Sequence, residues 1–378
     1  MLFKFKENAR TYNYDSCRNL ICELEKSRSA KIPSKGIRVF IELTKKCNFA
    51  CSYCYLNLNS KNKKISEPSI KNKIDKITSA FVDNFQNKDN IEIIFYGGEP
   101  LLEFKLLQEL VNFFDEKVIL NKKNIQYGIT TNGLLITPAI VDYLIKTKTN
   151  VTISLDGSSK TTELNRGKGI HELIESTIYR FAKEGHRAKI MATLSPNTVS
   201  SFPIDLDYLL GLPVKEIQFF ACDSICKSSS INEKHVSFIS GTLRKKVFDL
   251  INDKDYDSLK KIGNLISPMH SLATGSLCAS LCDYGKNVFG ISFDGKLYPC
   301  PCFMGYKDFV IENGQFKIPN KSGNINCTKC IGKNFCGGGC LFTHYIASKA
   351  APEFISAKCM LNKNISRLAI EAYLKLYT

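Results

Sequence analysis

Three cysteines near the start of the chain, Cys47, Cys51 and Cys54, are spaced C-x3-C-x2-C. A second group is larger: of the 16 cysteines, nine lie between Cys278 and Cys359. The N-terminus reaches charged residues too early for a signal peptide, and no apolar run approaches the roughly 20 residues that a membrane span needs. In a reduced cytoplasmic compartment, clustered cysteines favour thiolate ligands over disulfides. Both groups are therefore candidate sites of metal chemistry.

The sequence around the first group predicts strands that alternate with helices. Six apolar, β-branched stretches have strand length: 37–43, 91–96, 125–130, 151–155, 188–194 and 216–220. Helix-like stretches separate them: 66–86, 101–118, 137–147, 170–184 and 203–211. This alternation predicts an α/β fold, a partial (β/α)6 TIM-like barrel whose chemistry lies at the C-terminal ends of its strands. Ser66 and Thr137, each followed closely by a proline, are expected to cap the helices that they precede.

The remaining regions differ from the barrel in composition. Residues 1–36 show no strong periodicity, and 233–262 and 364–377 have helical patterns. From about residue 276, Gly, Cys and Pro replace the periodicity, as in a small module held together by metal. We expect an N-terminal extension (1–36), the barrel (37–232), a helical bridge (233–275), a cysteine-rich domain (276–362) and a C-terminal helix (363–378).

The first cysteine group, with the aromatic Tyr53 just before its third cysteine, resembles the signature of the radical S-adenosylmethionine (SAM) superfamily. In that family three thiolates hold a [4Fe–4S] cluster whose open iron binds SAM. The resemblance implies that an electron from the cluster cleaves SAM to a 5′-deoxyadenosyl radical, which abstracts hydrogen from the substrate. A zinc site is the alternative, but structural zinc takes four ligands, and no fourth Cys or His lies nearby in sequence.

Further motifs of that family stand at the ends of the next predicted strands. In the family, two glycines let the backbone approach SAM and an acidic residue helps to hold its amino group. A serine at the fourth strand and an arginine after it contact the ribose and carboxylate of SAM. The resemblance implies these cofactor-binding residues: Tyr53, Gly97, Gly98, Glu99, Asn132, Ser154 and Arg166.

The second cysteine group resembles the SPASM domain, which carries two auxiliary [4Fe–4S] clusters in many peptide-modifying relatives. The ligand pattern carried across places one auxiliary cluster at Cys278, Cys282, Cys300 and Cys340. The other would be held by Cys327, Cys330, Cys336 and Cys359. If Cys278 is not a ligand, that cluster has an open iron, or Cys302 substitutes for Cys278. Zinc is again the alternative, because C-x2-C pairs commonly bind it.

Some reactive residues keep no assigned role. The unassigned cysteines are Cys17, Cys22, Cys222, Cys226 and Cys302. If the reaction needs an acid–base residue, the candidates are Asp156, Asp223 and Asp283, and the sequence selects none of them.

The resemblance implies a radical SAM oxidoreductase that uses SAM and three [4Fe–4S] clusters. Auxiliary clusters suit net two-electron oxidation, because their potentials span a wide range. We therefore expect a maturase that forms a thioether or carbon–carbon crosslink in a ribosomally synthesised precursor peptide. The alternative is an anaerobic sulfatase-maturing enzyme, which oxidises Cys or Ser to formylglycine. In those enzymes an aspartate follows the cysteine that here is Cys300, whereas this chain has Pro301, which cannot take a proton.

The expected partners are a precursor peptide and a flavodoxin- or ferredoxin-type reductant, in the cytoplasm and without a membrane. Residues 1–36 are too few for a fused leader-recognition domain, so we expect a separate recognition protein or direct leader binding. The net charge of +16 falls to about +10 if three clusters each carry about −2. A zinc-stapled, basic nucleic-acid-binding protein is the remote alternative, but the positive charge is not gathered into one stripe.

Overall fold

Six parallel strands follow one another along the chain and lie side by side in one sheet. They are β4 (Ile37–Thr44), β5 (Asn90–Gly97), β6 (Asn124–Thr131), β7 (Asn150–Ser154), β8 (Lys189–Leu194) and β9 (Glu216–Ala221). The computed structural model describes residues 2–7, 10–15, 20–21, 36–54, 56, 66–121, 124–222, 231–275, 284–316, 327–350 and 357–377. Among the described strands no pairing closes the sheet from β9 back to β11, and the predicted partial barrel is confirmed.

Helices connect these strands and cover the outer face of the sheet. They are α1 (Ile70–Phe85), α2 (Phe104–Asn121), α3 (Pro138–Lys146), α4 (Ser159–Arg166), α5 (His171–Lys183) and α6 (Phe202–Gly211). On β4, the side chains of Val39, Ile41 and Leu43 are fully buried on this outer side. Because strand side chains alternate, Phe40 and Glu42 point to the opposite, inner face. Chain and sheet order agree from β4 to β9, as crossover helices require.

The C-terminal half adds helices and two further strands to this unit. The helices are α7 (Glu233–Asn252), α8 (Tyr256–Lys261), α9 (Gly263–Thr274), α10 (Lys333–Cys336), α11 (Leu341–Ala350) and α12 (Ala357–Tyr377). Strand β10 (Val288–Ile291) pairs in parallel with β4, and β11 (Leu297–Tyr298) pairs antiparallel with β10. The cysteine-rich segment therefore continues the barrel sheet beyond its first strand.

The N-terminal extension contains strands that the sequence analysis did not predict. Strands β1 (Leu2–Glu7), β2 (Arg10–Asp15) and β3 (Leu20–Ile21) form a separate antiparallel sheet. A signal was present, because apolar or aromatic residues alternate with charged or polar ones in both LFKFKE and RTYNYD.

The predicted cap at Thr137 is confirmed, and the one at Ser66 is wrong. The Thr137 side chain accepts a hydrogen bond from the Ile140 backbone N–H. Helix α1 is instead capped by Ser69, which accepts from Asn72 N–H. Glu67 lies before this cap, and its carboxylate binds Thr44, Lys45 and Lys73.

A buried lysine holds the start of α1 against β4. Lys73 is 1% exposed, and its Nζ donates to Leu43 O at 2.9 Å, to Glu67 Oε2 at 2.6 Å and to Glu103 Oε1 at 3.0 Å. Glu67 also accepts from the Thr44 hydroxyl and the Lys45 backbone N–H. Burial raises the pKa of Glu67, but the hydrogen bonds from Lys73, Lys45 and Thr44 more than offset this and lower it.

We expect Glu67→Gln to destabilise the fold by about 1–3 kcal/mol, because it weakens a buried charged network. The lowered pKa means that folding favours the ionised carboxylate. The contribution is therefore complete above the unfolded pKa and is lost as pH falls through the folded value. Urea unfolding of both proteins should show a difference at pH 7 that shrinks below about pH 4.5. A pH-independent difference would contradict this account, and Glu92→Gln, at a partly exposed ion pair with Arg38, is the control.

Candidate functional site

The three cysteines of the first group lie in the loop that leaves β4. Cys47 Sγ accepts from the Phe49 backbone N–H at 3.4 Å, and Cys54 N–H donates to Cys51 O at 3.1 Å. Burial raises the pKa of Cys51 to about 11, although the nearby Arg166 opposes the shift. The other two thiols also act on the pKa of Cys51, so the three lie close together at the C-terminal edge of the sheet.

Two glycines at the end of β5 bring the chain against the start of this loop. Gly98 N–H donates to Thr44 O at 2.8 Å, and Glu99 N–H donates to Lys46 O at 2.9 Å. A Cβ on Gly98 would lie 2.1 Å from Lys46 O, and one on Gly97 would lie 2.3 Å from Thr44 O. Because they have no side chain, both glycines allow the end of β5 to pack directly against the backbone that precedes the cysteine loop.

Glu99 is fully buried and joins the ends of β5 and β6. Its Oε1 accepts from the Thr131 hydroxyl at 2.8 Å and the Leu101 N–H at 3.0 Å, and its Oε2 accepts from the Asn132 N–H at 2.8 Å. Burial raises its pKa, and the two backbone hydrogen bonds oppose this. The carboxylate that was predicted to hold the amino group of SAM is thus largely occupied within the protein.

Asn132 connects the end of β6 to the cysteine loop. Its Nδ2 donates to Asn48 Oδ1 at 2.7 Å, and its Oδ1 accepts from Leu134 N–H at 3.0 Å. Its amide also hydrogen-bonds the thiol of Cys47, which partly offsets the effect of burial on the pKa of that thiol. Ser154, at the end of β7, is half-buried and pairs with Met191 of β8.

Asp156 gathers most of the polar contacts at this edge. It is 2% exposed and forms a bidentate ion pair with Arg166, with Nε–Oδ2 at 3.0 Å and Nη2–Oδ1 at 2.8 Å. It also accepts from the Tyr53 hydroxyl at 2.7 Å, Asn165 Nδ2 at 3.2 Å and Thr193 N–H at 2.9 Å. Burial alone would lower the pKa of Arg166, but the attraction of Asp156 raises it. From the sequence, Asp156 was only one of three acid–base candidates, and its role as the partner of Arg166 was not predicted.

Three cysteines of the second group act on the pKa of a fourth, Cys359, at the start of α12. Cys359, on α12, has its pKa raised to about 11, first by burial and then by the three other thiols, those of Cys336, Cys330 and Cys327. Asn362 Nδ2 lies 3.6 Å from Cys336 Sγ. The thiols of Cys336, Cys330 and Cys327 are thus near enough to Cys359 to raise its pKa, and their joint ligation of a cluster stays a prediction.

Cys300 and Cys340 of the other predicted set also lie close together, with Cys302 beside them. A hydrogen bond from Cys300 to Cys302, together with burial, raises the pKa of Cys300, and the same bond lowers the pKa of Cys302. Cys278 and Cys282 lie outside the described residues. The substitution of Cys302 for Cys278 stays a prediction.

Tyr96, on the inner face of β5, lies between the first cysteine loop and the C-terminal cysteines Cys300 and Cys302. Burial raises the pKa of its hydroxyl, followed by the effects of Cys302, Cys300 and Cys54. Its ring packs edge-on to Phe40 at 5.8 Å. Tyr96 also packs against an apolar cluster of the cysteine-rich segment. This lumen cluster is built around Tyr298, Cys300 and Phe303.

Several other residues of interest fall outside the described ranges. They are Cys17, Cys22, Cys226, Asp223 and Asp283. Cys222 is described, and it is buried just after β9. Among the described residues, no three His, Cys, Asp or Glu side chains are placed to hold a single metal ion. None of the described helices has the length and hydropathy needed to cross a membrane.

Comparison with known families identifies the domain that carries these residues. Residues 41–208, from within β4 to within α6, match the Radical SAM superfamily. This part of the chain is a radical SAM domain. In this family a SAM-binding iron–sulfur cluster accompanies the fold, and the donor set agrees, because thiolates are the usual ligands of such clusters.

Relatives with assigned functions include a sulfatase-maturating enzyme and a radical SAM cyclopropyl synthase. The cysteine-type anaerobic sulfatase-maturating enzyme of Clostridium perfringens is 24% identical over 332 residues, which cover 78% of this chain and 85% of that enzyme. The radical SAM cyclopropyl synthase TigE of Paramaledivibacter caminithermalis is 30% identical over 37% of this chain. The match spans only 31% of TigE, and a Methanocaldococcus jannaschii relative is likewise matched over 38% of its length.

Two groups of solved structures share the fold. The structure of anSMEcpe with bound AdoMet (SAM) has a TM-score of 0.68 and 19% identity, and the match covers 89% of this chain and 98% of that chain. Streptococcus suis SuiB bound to the precursor peptide SuiA has a TM-score of 0.54 and 18% identity, with 85% and 75% covered. At such identities the likeness establishes the fold alone.

Proposed function

We propose that this radical SAM enzyme oxidatively modifies a ribosomally synthesised precursor peptide and forms a thioether or carbon–carbon crosslink. Cys47, Cys51 and Cys54 would hold the SAM-binding cluster. With SAM, that cluster would supply the radical that abstracts hydrogen. Residues 276–362 would form a SPASM domain with two auxiliary clusters, of which one is held by Cys327, Cys330, Cys336 and Cys359.

The position of Tyr96 carries this proposal. Its ring lies near Cys54 of the first cysteine loop and near Cys300 and Cys302 of the C-terminal segment. A substrate held along this inner face would be near both regions at once. Oxidative crosslinking needs this proximity, because the substrate loses a hydrogen atom at one site and an electron at another.

The inner face also provides a largely dry wall for a reactive substrate. Phe40 and Tyr96 pack against the lumen cluster, in which Phe303 is fully buried. Exclusion of water protects radical chemistry from side reactions. The relatives support a peptide substrate, since SuiB is described with a precursor peptide. The reductant would be a flavodoxin or ferredoxin, and leader recognition would be direct or through a separate protein.

Sulfatase maturation is the second candidate function. It is favoured by the sulfatase-maturating relative, whose match extends over 78% of this chain. Against it stands Pro301, which begins a 3-10 turn directly after Cys300 and provides no acid–base group. We therefore place precursor-peptide crosslinking first.

The two functions are separated by their products. Anaerobically reconstituted enzyme, SAM and dithionite would be incubated with precursor peptides encoded near the gene and with a peptide carrying a cysteine-type sulfatase motif. Loss of two hydrogen atoms from a precursor, seen by tandem mass spectrometry as an internal crosslink, supports the proposal. Conversion of the sulfatase-motif cysteine to an aldehyde, with the precursors unchanged, would replace it with the second function.

We expect Cys359→Ser to lower the iron content by about four atoms per chain, because one [4Fe–4S] cluster would lose a thiolate ligand. Cys222→Ser is the matched control, since Cys222 is buried and belongs to neither predicted ligand set. Iron and sulfide analysis after reconstitution measures the difference. An iron content equal to that of the control would remove Cys359 from the ligand set.

A further inference from the structure

Glu42 is a buried carboxylate on the inner face that the reaction scheme above leaves unused. It lies two residues before the end of β4 and is 1% exposed. In the register of the sheet its Cα partner is Tyr96 of β5. Glu42 therefore lies beside Tyr96, which is near both the first cysteine loop and the C-terminal cysteines.

Only part of the carboxylate is hydrogen-bonded. It accepts from the Phe293 backbone N–H, in the turn between β10 and β11. Its Oε2 is buried and has no hydrogen-bond partner among the described residues. An ionised carboxylate without a full set of partners is costly to bury, so a purely structural role explains this residue poorly.

The charged and titratable groups around Glu42 are mostly bound elsewhere. Lys45, which follows β4, has its Nζ 5.4 Å from the Phe293 ring centroid. Glu67 is paired with Lys73, and Asp294 with Lys296 at 2.8 Å.

Two tyrosines, Tyr96 on β5 and Tyr298 on β11, also face Glu42. Burial raises the pKa of Glu42 to about 7, Lys45 opposes the shift, and Asp294 and Glu67 add to it.

We propose that Glu42 is the proton acceptor for the oxidative step, on the side of the lumen that faces the C-terminal cysteines. The inference rests on the proposed function. In the step, hydrogen abstraction breaks a substrate C–H bond and yields 5′-deoxyadenosine. A substrate thiol or similar nucleophile then loses its proton to Glu42 and bonds to the carbon. An oxidised iron–sulfur cluster held by the C-terminal cysteines would accept the remaining electron.

Glu42 suits this task better than the described acid–base candidate named from the sequence. Asp156 already accepts five hydrogen bonds, two of them from Arg166, so its carboxylate is not free to take a proton. Glu42 has an unsatisfied oxygen and a position beside Tyr96. A base whose pKa lies near the working pH is also the most effective one.

Replacement of Glu42 by glutamine tests the inference, with Glu42→Asp as the conservative variant and Glu92→Gln as the control. Glu92 lies on β5 but pairs with Arg38 and is partly exposed. In wild type and control, peptide conversion should rise about tenfold per pH unit below pH 7 and level off above it, because the acceptor must be ionised. Glu42→Gln should convert peptide about 10²–10⁴-fold more slowly and lose this pH dependence. Glu42→Asp should restore part of the rate.

The yield of 5′-deoxyadenosine separates a proton-transfer role from a structural one. In Glu42→Gln the ratio of 5′-deoxyadenosine formed to peptide modified should rise, because hydrogen abstraction precedes the proton transfer. Conversion by Glu42→Gln at the wild-type rate, with the wild-type pH profile, would overturn the proposal.

Infrared difference spectra between pH 6 and 8 test Glu42 without any peptide. A protonated-carboxyl band that titrates in wild type and Glu92→Gln but is missing in Glu42→Gln supports the proposal. Absence of such a band from wild type overturns it. If wild type modifies no peptide, the proposed function fails, and the infrared result still decides whether Glu42 can take up a proton.

Discussion

Asp156→Ala is expected to destabilise the protein by about 3–5 kcal/mol, because it leaves the buried guanidinium of Arg166 without its counter-charge. Arg166 donates two of its hydrogen bonds to Asp156, and its side chain is 6% exposed. The same change also releases Tyr53 from its hydrogen bond at 2.7 Å. Thermal or urea unfolding would measure the loss.

The exposed ion pair between Arg38 and Glu92 provides the control for this prediction. Its side chains are 48% and 30% exposed, so Glu92→Ala should cost about 0–1 kcal/mol. The double variant Asp156→Leu with Arg166→Met removes both charges and should recover much of the stability lost in Asp156→Ala. Equal losses in the single and the double variant would show that the unpaired charge is not the cause.

The double variant also tests the prediction that Arg166 contacts SAM. Once its fold is restored, a weakened affinity for SAM, measured by equilibrium dialysis, would come from the loss of the arginine itself. Unchanged affinity would show that Arg166 has only a structural role, in which it pairs with Asp156 and so helps to position Tyr53 of the cysteine loop. The ring of Tyr53 lies 5.5 Å from the guanidinium, so both residues belong to one buried unit.

The barrel could be predicted because its signals are local. In β4, for example, the buried Val39, Ile41 and Leu43 alternate with inner-face residues, and the motifs fall where strands end. The short strand β10 could not be predicted in this way. It has four residues in a segment rich in Gly and Cys, and its partner β4 is about 250 residues earlier in the chain.

The site was predictable in its residue types and less so in its contacts. The cysteine spacing predicted the two groups, because ligand spacing is a property of the sequence. The roles of Glu42 and Asp156 could not be predicted, since each depends on partners from distant elements. Asp156 binds side chains from the cysteine loop and from α4, and Glu42 accepts from the Phe293 backbone N–H in the turn between β10 and β11 while its Oε2 is left without a partner among the described residues.

Gly98→Ala is expected to disable the first cysteine loop. The new Cβ would lie 2.1 Å from Lys46 O and 2.6 Å from Lys46 C, and both are backbone atoms that cannot rotate away. Lys46 directly precedes Cys47, so relief of the clash must displace the loop. A displacement of about 1 Å at a catalytic site lowers activity by about 10²-fold. We expect a comparable loss of SAM cleavage, together with a loss of about four iron atoms per chain.

Two explanations of Gly98 predict different results in this variant. If Gly98 is needed so that the end of β5 can pack against the backbone of Lys46, Gly98→Ala loses the iron of the first cluster. If it serves mainly to let SAM approach, the variant keeps its iron and loses only SAM binding. Gly211→Ala is the matched control, because nothing lies within 4 Å of its added Cβ and alanine favours the end of α6. Iron analysis beside SAM binding decides between them, and the hydrogen bonds from Gly98 to Thr44 and from Glu99 to Lys46 favour the first.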